Sequence, residues 1–243
     1  MEHDILLSFS QVSEEIKSAA SYALGSICIG NLPHYLPFIL NEIQSQPKRQ
    51  YLLLHSLKEV FLQIEAINLK KRSILQIITC LSSTPEGIRQ LHPFIPAIWQ
   101  QLYLHCECSE EGTRNVVAEC LGKLTLIDPN NLLPKLQESL ASPSALMRTT
   151  VVTAVKFTIS DHPQKIDPLL RQCIGQFLNT LQDPDLNVRR VALVAFNSAA
   201  HNKPSLIRDL LDSILPQLYS ETKIKVFMYA CLNVIASVNH SCC

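Results

Sequence analysis

Glycine is scarce in this chain, six in 243 residues, and none of the six belongs to a glycine-rich phosphate loop. A Gly-x-Ser-x-Gly nucleophile turn is missing, and no pair of carboxylates stands out from solvated helix faces, so no catalytic residue and no enzymatic activity are expected. His55, His162 and His201 have the chemistry of a base, but lone histidines near helix ends are more often caps or surface residues. An excess of one charge is also lacking. Lys+Arg and Asp+Glu both number 21, which argues against a general nucleic-acid binder or a binder of anionic membranes. The start, MEHDILLSF, has no basic segment or cleavage pattern of a signal peptide. Ser18 to Asn41 carries no Asp, Glu, Lys or Arg, but Gly30-Asn31-Leu32-Pro33 interrupts it, so a membrane span is not expected. Strand-like alternation is absent over any useful length.

What is present is a folding composition, with 47% hydrophobic and 17% charged residues. The nine cysteines are scattered and odd in number. Cys28, Cys120 and Cys173 have apolar neighbours, which suits reduced buried thiols in a soluble intracellular protein. His105-Cys106-Glu107-Cys108 has ligand-type side chains but no second pair at zinc spacing, and the terminal His240-Ser241-Cys242-Cys243 has no partner cluster. No metal and no cofactor are expected.

Helical periodicity recurs along the chain. From Arg189, offsets of three, six and seven reach Ala192, Ala195 and Phe196, all on one helix face. The same offsets from Arg148 give Val151, Ala154 and Val155, and from Arg114 they give Val117, Cys120 and Leu121. From Gln50 they give Leu53, Ser56 and Leu57, and from Lys17, Ala20, Ala23 and Leu24. The anchors at 17, 50, 114, 148 and 189 lie 33, 64, 34 and 41 residues apart, near the length of helical-pair repeats with one gap doubled. Between them lie other amphipathic runs: His34–Gln44, Phe94–His105, Leu132–Ala141, Pro168–Gln182 and Leu206–Tyr219. Pro143 and Pro184 mark turns inside pairs, while Pro33, Pro129, Pro163 and Pro204 mark links between them. The fold class is all-α, antiparallel helix pairs stacked into a solenoid. Five pairs are expected, with Ala20, Ala23, Leu121, Val155, Ala192 and Phe196 buried.

LQDPDLNVRRVALVAF, Leu181 to Phe196, resembles the HEAT repeat, in which an Asp and an Arg commonly bridge successive units. Those positions here are Asp183 and Arg189. Arg148 and Arg114 occupy the arginine position of two other repeats, with Ser142 and Cys108 in place of the aspartate, so the resemblance implies at most an interrupted ladder. A bridging role makes Arg189→Ala cost on the order of 1–3 kcal/mol. Longer blocks, among them SEEIKSAASYALGSICIGNLPHYLPFIL and HCECSEEGTRNVVAECLGKLTLIDP, are similar to the C-terminal part of the cullin-associated, neddylation-dissociated family of HEAT-repeat proteins. That resemblance covers roughly Ser13–Val60 and His92–Lys223. It implies a protein-binding scaffold acting on unneddylated cullin–RING ligases, in SCF assembly and substrate-receptor exchange, in the cytoplasm and nucleus. A HEAT-repeat scaffold or transport-adaptor fragment with another protein partner is the alternative.

Phe61 to Leu91 departs from the family. Residues 1–222 are read as solenoid with 61–91 as an atypical insertion, an extra helix around Lys70 to Leu81 being one form of it. Residues 223–243 are read as a divergent apolar tail where the family continues into a β-hairpin. The chain thus looks like a truncated or alternatively spliced product, expected to bind cullin weakly and to self-associate through Ile5, Leu6, Phe9 and the run Val226 to Val238. Partner-facing candidates are the loop residues Glu110, Glu111, His201, Asn202 and Lys203.

Overall fold

The structure, a computed structural model, describes residues 2–11, 13–75, 91–159 and 164–207. Its elements are α1 (Glu2–Ser8), α2 (Glu14–Gly30), α3 (Leu32–Ser45), α4 (Gln50–Leu75), α5 (Ile95–Leu104), α6 (Glu111–Ile127), α7 (Pro129–Ser139), α8 (Ala145–Lys156), α9 (Asp167–Leu178), α10 (Leu186–Asn202) and α11 (Pro204–Ile207), with short 3-10 turns at Pro47–Arg49, His92–Phe94 and Asn179–Gln182. No strand occurs among the described residues. The fold is an all-α helical repeat. Among the described residues α1 packs on α2, α3 on α4, α7 on α8 and α9 on α10, the anchored helix second in each pair, and α5 and α6 follow one another in the same order along the chain. No helix among the described residues is long and apolar enough to cross a membrane.

Two kinds of helix start alternate along the chain. Of the anchored helices, α2, α8 and α10 open with a side-chain cap. The Ser13 hydroxyl accepts from the Ile16 N–H, the Ser144 hydroxyl from that of Met147, and the Asp185 carboxylate from those of Asn187 and Val188. Their companions α3, α5, α7 and α9 open with proline at one of the first two positions, where a missing N–H has no intrahelical partner to lose.

Contacts divide the chain into two units, one of Met1–His105 with Glu110–Cys120, the other of Cys106–Ser109 with Leu121–Cys243. In the first, α2 lies along α4, and α3 packs on α2, α4 and α5. In the second, α8 lies along α10, while α9 packs on α7 and α10. Helices thus meet their neighbour in sequence and the one after it, the contact pattern of stacked pairs.

Glycine sets how closely the anchored helices approach. A methyl group placed on Gly25 would stand 2.6 Å from the Ser56 carbonyl oxygen and 2.6 Å from Glu59 Cβ. One placed on Gly122 would stand 2.5 Å from the Ala154 carbonyl oxygen and 2.6 Å from Phe157 Cβ. The two sites are in one register. Each glycine lies eight residues after its anchor and meets the residues six and nine after the next anchor.

The apolar stripe is buried at Ala20, Leu121, Val155, Ala192 and Phe196. Ala23 is exposed, against expectation. Its counterparts six after an anchor, Ser56, Cys120 and Ala154, are each covered by an anchored helix one repeat earlier, and α2 has none before it among the described residues. Phe9 is a second correction. It is buried because α1 folds onto α2; Ile5 and Leu6 are half-buried, and Leu7 is the exposed side chain of that helix. Beyond Val60, α4 continues helically to Leu75. The remainder of the expected helix around Lys70 to Leu81, most of Leu206–Tyr219, and Val226 to Val238 lie outside the described residues.

Candidate functional site

The anchor positions share a task that the stripe alone does not reveal. Arg148 Nη1 donates to the carbonyl oxygens of Ser142 at 2.8 Å and Pro143 at 3.0 Å. Arg189 Nη1 donates in the same way to Asp183 at 2.8 Å and Pro184 at 3.2 Å. Gln50, which stands in the arginine position, donates from Nε2 to the Ile43 carbonyl at 3.1 Å. The side chain curls back over the turn before its own helix and supplies donors to carbonyls that no helix ladder reaches.

Arg148 does one thing more. Its Nε and Nη2 donate to the two carboxylate oxygens of Asp183 at 2.7 and 2.8 Å, a forked contact one repeat along the chain, with both side chains largely buried. Burial pushes the Asp183 carboxyl up, but the hydrogen bonds from Arg148 and from the Asp185 N–H, with the positive charges of Arg148 and Arg189, outweigh it and hold the group below the ordinary carboxylate range. The sequence reading joined Asp183 to Arg189. In the structure Arg148 makes the fork, and Arg189 hydrogen-bonds the main chain beside it. Arg114 is half-buried early in α6.

The partner-facing candidates separate. Glu110, Glu111, His201 and Asn202 are exposed. Glu110 also stands just before α6 and accepts from the Thr113 hydroxyl at 2.7 Å, a contact within its own turn. Lys203 is a correction. It is 8% exposed, with Nζ 2.5 Å from Asp167 Oδ2 in the first turn of α9. A lysine in a short link reads as solvated; here the link runs against the next helix start, and the aliphatic stem is covered. Spacing carried a usable signal: 36 residues, again about one repeat, separate Asp167 from Lys203.

Cys28, Cys106, Cys120 and Cys173 are buried, and burial pushes each thiol up, those of Cys28 and Cys106 to about 12 and that of Cys173 to about 11. Such thiols are poor nucleophiles. Cys108 is half-buried. Iodoacetamide at pH 8, followed by peptide mass mapping, is therefore expected to modify Cys108 before those four; earlier labelling of Cys106 would contradict the packing. Among the described residues no three His, Cys, Asp or Glu side chains are grouped to hold a metal ion. His55 and His105 are half-buried, and burial first, with the Lys58 charge at His55, holds their imidazoles below the ordinary value. His105 faces Gln50 across 3.1 Å. His162 lies outside the described residues, and His201 is exposed. These arrangements hold turns and neighbouring helices in register.

No protein-family model matches the chain. Among curated proteins, it is 61% identical over 221 residues to "Cullin-associated NEDD8-dissociated protein 1" of Drosophila melanogaster, a match covering 91% of this chain and 16% of that protein. The chain is homologous to one segment of the cullin-associated NEDD8-dissociated proteins. "Cullin-associated NEDD8-dissociated protein 2" of Mus musculus is 50% identical with the same coverage. "Cullin-associated NEDD8-dissociated protein 1, C-terminal part" of Emericella nidulans is 37% identical over 219 residues, 89% of this chain and 19% of that protein. The chain thus spans less than a fifth of the length of these relatives. A crystal structure of an engineered protein superposes with a TM-score of 0.51 at 12% identity, covering 98% of this chain and 96% of that one, a likeness of fold alone.

Proposed function

We propose that the chain is a protein-binding scaffold segment that contributes part of the surface by which a regulator of cullin–RING ubiquitin ligases grips an unneddylated cullin, in the service of substrate-receptor exchange. The observation that carries this reading is the 61% identity over 221 residues to a cullin-associated protein. Helical repeats bind through many modest contacts spread over a large surface, so a segment spanning 16% of that relative's length retains a fraction of the contacts. Binding alone is accordingly weak, with Kd above about 1 µM, and the segment does not by itself speed receptor exchange.

The test is retention of purified unmodified cullin on the immobilised chain, beside neddylated cullin and an unrelated helical-repeat protein, with receptor exchange followed in parallel. Retention of the unmodified form above both controls is expected. Equal retention of all three would overturn the cullin reading, and stimulated exchange would overturn the contribution assigned to a single segment. The reading also includes concentration-dependent self-association through Ile5, Leu6 and the run Val226 to Val238, which sedimentation velocity over a range of concentrations would measure.

A further inference from the structure

Between α2 and α4 the surface opens into a cavity of about 480 Å³, within the range of ~300–1,000 Å³ usual for ligand sites. Ser21 and Glu59 line it from the inside, at 3% and 7% exposure. The Ser21 hydroxyl oxygen is buried and makes no hydrogen bond, although buried hydroxyls are almost always satisfied. One Glu59 oxygen accepts from Gln63 Nε2 at 2.8 Å. A carboxylate has room for about four donors, and no cation pairs with this one among the described residues. The Glu59 carboxylate therefore has unused capacity beside this space, whereas the Ser21 oxygen has no surface open to it.

The remaining lining decides what that space fits. Tyr22 and Tyr51 border the opening at 58% and 40% exposure, and the Tyr51 ring stands edge-on to the His55 ring with centroids 4.7 Å apart. Lys58 is part of the wall, but its Nζ is committed to Glu119 at 3.3 Å. His55 adds no lasting charge, since burial first and then Lys58 disfavour its protonated form. Glu14 stands at the mouth, one oxygen on Lys17 and its side chain largely in solvent. An anion placed inside would meet the buried Glu59 carboxylate. An apolar group would leave Glu59 with the single donor from Gln63. A cation with several N–H groups satisfies that carboxylate.

We propose that this cavity takes an arginine side chain projecting from a partner protein, its guanidinium donating to the Glu59 carboxylate beside Tyr22 and Tyr51. A fork of donors suits a carboxylate better than the point charge of lysine, so lysine binds less tightly. The site does not depend on the cullin reading, because its probe is a short peptide and its outcome is the same whether or not a cullin is retained.

Saturation-transfer NMR on the full chain, titrated with the peptide Ac-Gly-Ser-Arg-Ser-Gly-NH2, tests it. Binding near 1 mM is expected, as suits one anchored side chain. Peptides with citrulline or norleucine in place of arginine are expected to bind at least tenfold more weakly. Glu59→Gln, which keeps the shape of the buried side chain, is expected to weaken the arginine peptide tenfold, and Tyr22→Ala, on an exposed ring, several-fold. Leu104→Ala, outside the cavity, leaves it unchanged. Equal affinity for the arginine and citrulline peptides, undiminished binding by the Glu59→Gln protein, or no saturation transfer at about 10 mM peptide would each overturn the assignment.

Discussion

Arg148→Ala is expected to lower stability by about 3–5 kcal/mol, the largest loss among the arginines of the repeat, because it strands a largely buried carboxylate. The fork to Asp183 ties α8 to the turn before α10, and the same guanidinium serves the carbonyls of Ser142 and Pro143. Arg189→Ala leaves that fork in place and removes donors from two carbonyls, so about 1–2 kcal/mol is expected there. The acid side supplies a second check. A carboxyl held below its unfolded value contributes stability that is present above that value, roughly pH 4, and is lost as pH falls through the folded value. The gap between wild type and Arg148→Ala should therefore be full at pH 7 and shrink as the pH falls below about 4. Urea denaturation followed by far-ultraviolet circular dichroism reads both effects, and identical midpoints at pH 7 would show that the fork contributes nothing net.

Gly122→Ala is expected to destabilise by at least about 1 kcal/mol, although alanine is the better helix former by about the same amount. Contact decides the sign. The added methyl group would stand 2.5 Å from a backbone carbonyl oxygen that cannot rotate away, so α6 and α8 must separate. Gly175→Ala, inside α9 with nothing within 4 Å of the new methyl group, carries the helix gain alone and should stabilise by up to about 1 kcal/mol. Opposite shifts in melting temperature are expected for the two variants. Stabilisation by both would mean that the helices yield at Gly122 without cost.

Much of the fold was legible because the stripe is a local property. Three offsets on a helix identify a face, and that face is buried at Leu121, Val155, Ala192 and Phe196. Ala23 satisfied the same pattern and is exposed, since burial at that position depends on a neighbouring helix that no local pattern encodes. The site residues were less legible for a similar reason. Asp183 and Arg189 are six residues apart and invited pairing, whereas the fork joins Asp183 to Arg148 across a separation of 35. Lys203 was hidden by its address in a short link, which says nothing of what the link crosses. The cavity between α2 and α4 draws on residues from two repeats, and no single stretch of sequence shows them together.

The doubled gap between Gln50 and Arg114 bears on how the chain closes on itself. The Cys120 thiol meets the Leu54 carbonyl across 66 residues, where the Arg148–Asp183 fork spans 35. Closure entropy grows only with the logarithm of the segment enclosed, so nearly doubling it costs roughly 0.6 kcal/mol. That is less than one buried hydrogen bond lost with its partner stranded. Extra residues between these anchors can therefore vary in number and identity at little thermodynamic expense, while a single methyl group at Gly122 cannot be added as cheaply. Tolerance to change along this polypeptide follows contact distance between helices, and length between them matters little.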